Sequence, residues 1–201
     1  MAAPAPDLSS PVGLIAGGGA LPFAVADSLA ARGVSSVLFA LRGACDAQMV
    51  ERFRHHWISI GQLGRATKLF RAEGCRDLVF IGALTRPALS EIRLDWGTLR
   101  VAKQVWAAFR GGDDHLLSGI GRILERDGFR MVGIRDVAPD LLMPAGCLTR
   151  AAPDAQAHAD IARGFEVLRA MSPFDVGQAV VVIDGHVVGV EDIEGTDGLL
   201  A

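Results

Sequence analysis

Four carboxylates fall within seven residues late in the chain: Glu191, Asp192, Glu194 and Asp197. Carboxylate oxygens suit Mg2+ or Mn2+, which take few protein ligands and fill their shells with water and substrate phosphate. A cation held this way polarises a phosphoryl group and activates water. A solvated acidic turn has the same composition, so the spacing alone leaves both readings open. Thr196, inside the cluster, can donate to a phosphate or cap the backbone of a turn.

The second stretch with chemical potential is Gly17-Gly18-Gly19-Ala20-Leu21-Pro22, which follows the apolar run 12–16 and precedes a helical pattern over 21–32. Strand, glycine turn and helix together aim backbone N–H groups at an anion. A dinucleotide fingerprint needs a third glycine where Pro22 stands, and an acid near the end of the next strand, where Arg42 stands. The Gly-Lys-Ser/Thr ending of a P-loop is absent. The turn therefore predicts phosphate or nucleotide binding, with a tight packing turn as the alternative, and Arg42 is placed to meet a phosphate. Arg86, in the 82–87 loop, could fork a phosphate or stand alone on the surface. Asp113 and Asp114 read as a helix cap, with metal or substrate binding as the alternative.

Other chemistries find little support. The five histidines show no metal spacing, and no G-x-S-x-G elbow occurs. Cys45, Cys75 and Cys147 are odd in number and lack C-x-x-C spacing, which argues for buried thiols rather than a disulfide framework or zinc site.

Short apolar strands over 12–16, 37–41, 57–60, 78–81 and 131–134 position these groups. They alternate with helical patterns over 21–32, 62–72, 98–109 and 115–126. That alternation predicts an α/β fold, a Rossmann-like parallel sheet covered on both faces. Ligands of such sheets sit beyond the carboxyl ends of the strands, where 17–20 and 82–86 both fall. The domains are expected at 12–137 and 138–201, after a flexible tail over 1–11. The second is a smaller α/β domain, with a helix over 154–171 capped by Asp154 and a hairpin turning at Asp184-Gly185. The hairpin delivers the acid cluster.

The chain is 50% hydrophobic over 201 residues, enough for a sizeable core, and its net charge of −3 gives no general pull toward nucleic acid. No apolar run approaches the roughly 18 residues of a membrane span, and 1–11 lacks the pattern of a signal peptide. A cytoplasmic protein is expected.

Taken in order, Gly13-Leu-Ile-Ala-Gly-Gly-Gly-Ala-Leu-Pro22, Gly82-Ala-Leu-Thr-Arg-Pro87, Gly112-Asp-Asp-His-Leu-Leu117, Asp175-Val-Gly-Gln178 and Val190-Glu-Asp-Ile-Glu-Gly-Thr-Asp197 resemble the LpxI-type UDP-2,3-diacylglucosamine pyrophosphatases. The resemblance implies a two-domain, metal-dependent enzyme of lipid A synthesis. Such an enzyme yields UMP and 2,3-diacylglucosamine 1-phosphate (lipid X) from a lipid-linked nucleotide sugar, at the inner face of the inner membrane. On this basis Asp197 and Glu194 are the catalytic candidates. Glu191 and Asp197 are the candidates for Mg2+ or Mn2+. Gly17, Gly18, Gly19, Ala20, Thr85, Arg86, Asp113, Gln178 and Thr196 are the candidates for substrate. A homodimer is implied by the family alone. Family members continue past the Glu-Gly-Thr-Asp segment into a stretch with an essential aspartate, so a truncated C-terminal domain is expected here. The rival readings are a nucleotide-sugar-binding module without catalysis and a nicotinamide-dependent oxidoreductase.

Overall fold

The computed structural model of the chain describes residues 7–8, 11–83, 95, 98, 113–174, 176–192 and 194–201. The chain forms two compact units, Met1–Leu142 and Met143–Ala201.

The first unit is built on a five-stranded parallel sheet. Its strands are β1 (Val12–Ala16), β2 (Ser36–Leu41), β3 (His55–Ile58), β4 (Asp77–Ile81) and β5 (Arg130–Met131), in the order β3-β2-β1-β4-β5. Central β1 is buried along its whole length, because its two faces meet two separate cores. Val12, Leu14 and Ala16 join Leu38, Ala40, Val79 and Ile81 against α1 (Leu21–Ala31) and Val50 of α2 (Ala47–Val50). Ile15 joins Val37, Phe39 and Leu78 against Ala66 and Phe70 of α3 (Leu63–Ala72) and Leu124 of α4 (Asp113–Arg126). Burial on both sides explains why these strands read as continuous apolar runs instead of alternating ones. Each fully buried Leu or Phe contributes roughly 1.5–3 kcal/mol.

Three expectations need correction. The strand placed at 57–60 lies two residues earlier, at His55–Ile58, paired in parallel with Leu38 to Leu41. Its histidines look unlike strand core, but His56 binds Glu73 Oε1 through Nε2 at 2.5 Å and stacks on Phe39. The strand expected over 131–134 ends at Met131, with a last ladder bond from Val132 N–H to Leu78 O. The apolar residues beyond it turn into a short helix, α5 (Ile134–Val137), whose start is closed by the Asp136 carboxylate accepting the Gly133 N–H at 3.0 Å. Asp113 and Asp114 do not precede their helix: α4 already includes both in its first turn. The helix expected over 98–109 lies outside the described residues except for Thr98.

In the second unit, α6 (Ala155–Met171) packs on the antiparallel hairpin of β6 (Val180–Ile183) and β7 (His186–Val190). The Asp154 side chain caps α6 by accepting the Ala157 N–H at 2.8 Å, as the sequence suggests. Asp184 and Gly185 have φ of +49° and +77°, the left-handed pair that a two-residue hairpin turn requires. Asp160 of α6 accepts the N–H groups of both, at 3.0 and 2.7 Å, and so ties the turn to the helix. A short helix, α7 (Gly195–Leu200), follows the hairpin.

Candidate functional site

The strand order reverses beside β1, between its neighbours β2 and β4, and the turns that leave these three strands meet at their carboxyl ends. This is the position where open α/β sheets receive ligands. The turns after β1 and β4 are locked together: Gly18 and Ala83 exchange backbone hydrogen bonds at 2.7 and 2.9 Å, and the Gly17 N–H donates to Ile81 O. The turn after β2 packs on the other side. Cys45 Sγ donates toward the carbonyls of Ala16 and Gly17 at 3.1 and 3.0 Å, and burial raises the pKa of this thiol.

The members of the glycine run therefore differ. The N–H groups of Gly17 and Gly18 are already engaged by the protein. Gly19, at φ +90°, and Ala20 are exposed, and no acceptor among the described residues takes their N–H groups. They stand at the start of α1, where the partial positive charge of the helix favours an anion. Pro22 fits there because the first helical turn needs no N–H from it.

The start of α3 lies on the same edge of the sheet but is filled from within. Gln62 provides no side-chain cap. Instead, Asp95 accepts the N–H groups of Gly64 and Arg65 at 3.2 and 2.8 Å, while Thr98 Oγ1 accepts that of Leu63 at 3.0 Å. Burial pushes the Asp95 carboxyl up, but the hydrogen bonds from Thr98, Arg65 and Gly64 outweigh it and leave the pKa below its ordinary value. The stability contributed by Asp95 is thus complete above about pH 4 and is lost as pH falls through its lowered folded value. We expect the melting temperature of Asp95→Asn to fall less steeply than wild type between roughly pH 4 and 2. Parallel curves would show that the cap does not titrate.

The acid cluster belongs to the second unit and divides between a loop and a helix. Glu191 follows β7, and its N–H donates to Ala179 O at 2.9 Å, so the segment carrying Gln178 lies beside it. Thr196 donates to Glu191 Oε1 at 3.0 Å, while Glu191 Oε2 is buried with no hydrogen-bond partner among the described residues. Glu194 Oε1 accepts the Asp192 N–H at 3.2 Å, and Asp197 lies in the first turn of α7 and is exposed. Among the described residues, no three acids, histidines or cysteines gather into a metal-holding set. The unsatisfied oxygen of Glu191 nevertheless fits a cation, because Mg2+ commonly binds through one or two carboxylates and completes its shell with water and phosphate.

Of the residues singled out in the sequence, Gly17, Gly18, Gly19 and Ala20 form one group, and Gln178, Glu191 and Thr196 another. Thr85 and Arg86 lie outside the described residues. Asp113 is placed only as the first residue of α4. Sequence reasoning missed the Gly18–Ala83 pairing, the thiol of Cys45 behind the turn, and the cap from Asp95 and Thr98. None of these carries a local signal.

The chain matches two family descriptions in order: the LpxI N-terminal domain over residues 11–141 and the LpxI C-terminal domain over residues 144–201. It is 36% identical over 189 residues to the UDP-2,3-diacylglucosamine pyrophosphatase LpxI of Caulobacter vibrioides, a match that covers 94% of this chain and 67% of that relative.

Proposed function

The chain belongs to the LpxI family, and from that premise we propose that it hydrolyses the pyrophosphate of UDP-2,3-diacylglucosamine to UMP and 2,3-diacylglucosamine 1-phosphate in lipid A synthesis. The observation that carries this reading is the 36% identity to the Caulobacter pyrophosphatase along 94% of the chain. In this reading the exposed N–H groups of Gly19 and Ala20 bind phosphate oxygens at the start of α1. Glu191 supplies the carboxylate for a divalent cation, with Asp197 as its partner. When bound, that cation supplies polarisation of a phosphoryl oxygen and a more acidic water. Asp197 and Glu194 orient the attacking water and take its proton as the bond between phosphorus and the bridging oxygen breaks. Thr196 holds Glu191 in place through its 3.0 Å hydrogen bond.

A diacylated substrate resides in a membrane, so the reading includes peripheral contact with the inner face of the inner membrane. No helix among the described residues is long and apolar enough to cross one.

The test is mass-resolved product analysis with UDP-2,3-diacylglucosamine, with and without Mg2+. UMP and the acylated sugar phosphate should form in equal amounts, and only with the cation. Absence of both from folded, cation-supplied protein would overturn the reading.

A further inference from the structure

Building on the proposed UDP-linked substrate, we propose that Arg42, braced by Trp57, reads the uracil base. The glycine turn is flanked by Ala83 toward β4 and by Ala44 and Cys45 toward β2. A nucleotide with its phosphate on Gly19 and Ala20 that runs over the tips of β2 and β3 meets an exposed guanidinium there. Neighbouring strands lie about 4.8 Å apart, so those tips stand roughly 5 and 10 Å from the tip of β1, a span matched by a ribose and its base.

Arg42 and Trp57 occupy that position. Arg42 is the first residue beyond β2, and its N–H donates to Ile58 O at 2.9 Å, which fixes its backbone to the end of β3. Its guanidinium carbon stands 5.7 Å from the centroid of the Trp57 ring, within cation–π range. The side chain is exposed, and no carboxylate among the described residues pairs with it. The turn that follows reaches the phosphate end directly: Ala44 O lies only 3.1 Å from where a Cβ on Gly18 would stand.

A guanidinium is a donor with no acceptor. Uracil presents the acceptor O4 where cytosine presents an amino donor. A donor held at that edge favours uridine over cytidine nucleotides, whereas a phosphate-binding arginine has no such preference. Stacking on the guanidinium plane adds affinity for either base.

The test is calorimetric titration of UMP and CMP into wild type, Arg42→Ala, Arg42→Lys and Trp57→Phe, with melting temperatures as the folding control. Wild type should bind UMP about tenfold or more tightly than CMP, and Arg42→Ala should lose most of that preference by weakening UMP alone. Arg42→Lys, which keeps the charge but not the planar fork, should lose part of it and serves as the readout if Arg42→Ala is poorly folded. Trp57→Phe should weaken UMP by a few-fold. Equal weakening of both nucleotides in Arg42→Ala would show a phosphate contact and overturn base reading. Unchanged preference would remove Arg42 from the site. In either case product formation by wild type would leave the pyrophosphatase reading intact, whereas a folded wild type that neither binds UMP nor releases it would overturn both.

Discussion

Glu191→Gln and Asp197→Ala are each expected to lower UMP release by roughly a hundredfold or more, with little change in melting temperature without added cation. Glu191 keeps one carboxylate oxygen buried with no hydrogen-bond partner among the described residues, which is costly for a charged group that nothing pairs. In wild type, Mg2+ at a hundred times its dissociation constant should stabilise the fold by about 2.7 kcal/mol. Glu191→Gln removes the charge proposed to draw the cation, so most of this ion-dependent rise in melting temperature should vanish along with turnover. Asp197 is exposed on the first turn of α7, and its loss should leave the fold intact while removing the proposed second cation ligand and a group proposed to orient water. If Glu191→Gln keeps both the Mg2+-dependent rise and the turnover, the cluster is only a solvated acidic turn.

Gly82→Ala should be strongly disruptive at the sheet edge that carries the glycine turn. Gly82 has φ +93°, and a Cβ there would lie 2.6 Å from Gly18 O, 2.8 Å from Pro22 Cγ and 3.0 Å from the Gly17 carbonyl carbon. Two of these atoms are backbone and cannot rotate aside. The left-handed conformation costs an L-residue roughly 1–2 kcal/mol, and overpacking adds about 1–3 kcal/mol. A total of roughly 3 kcal/mol corresponds to a melting temperature lower by about 6–12 °C in a chain of this size. Because the clash falls on the glycine turn, UMP affinity should drop with it. Gly19→Ala is the contrast. Its φ is +90°, but beyond its chain neighbours no atom of the described residues lies within 4 Å of the added carbon, so only the conformational cost applies. Equal losses in the two variants would show that backbone conformation matters here and close approach does not.

Much of the framework was legible in the sequence. Val12–Ala16 and Leu63–Ala72 fall where periodicity and glycine punctuation place them, and the Asp184-Gly185 hairpin turn follows from residue type alone. The differences arise where tertiary contacts override local pattern. His55 and His56 do not look like strand core until Glu73 and Phe39 are known to face His56. The run from Val132 to Ile134 looks like strand until Asp136 reaches back to Gly133. The site shows the same division. A glycine turn followed by a helix was readable, but which glycines remain available depends on Ala83, 65 positions beyond Gly18. Clustering of acids was readable, whereas the orphaned oxygen of Glu191 follows from the fold around it.

The borrowed cap of α3 has a consequence for the order in which the chain becomes structured. Leu63–Ala72 leaves the ribosome more than twenty residues ahead of Asp95 and Thr98, which complete its first turn. A ten-residue helix is marginal in water without help. During synthesis, then, α3 frays and re-forms until the later residues arrive, and the two become one cooperative unit only then. Amide protons at Leu63, Gly64 and Arg65 are the natural clock for that event, since their protection from solvent begins when residues 95 and 98 dock.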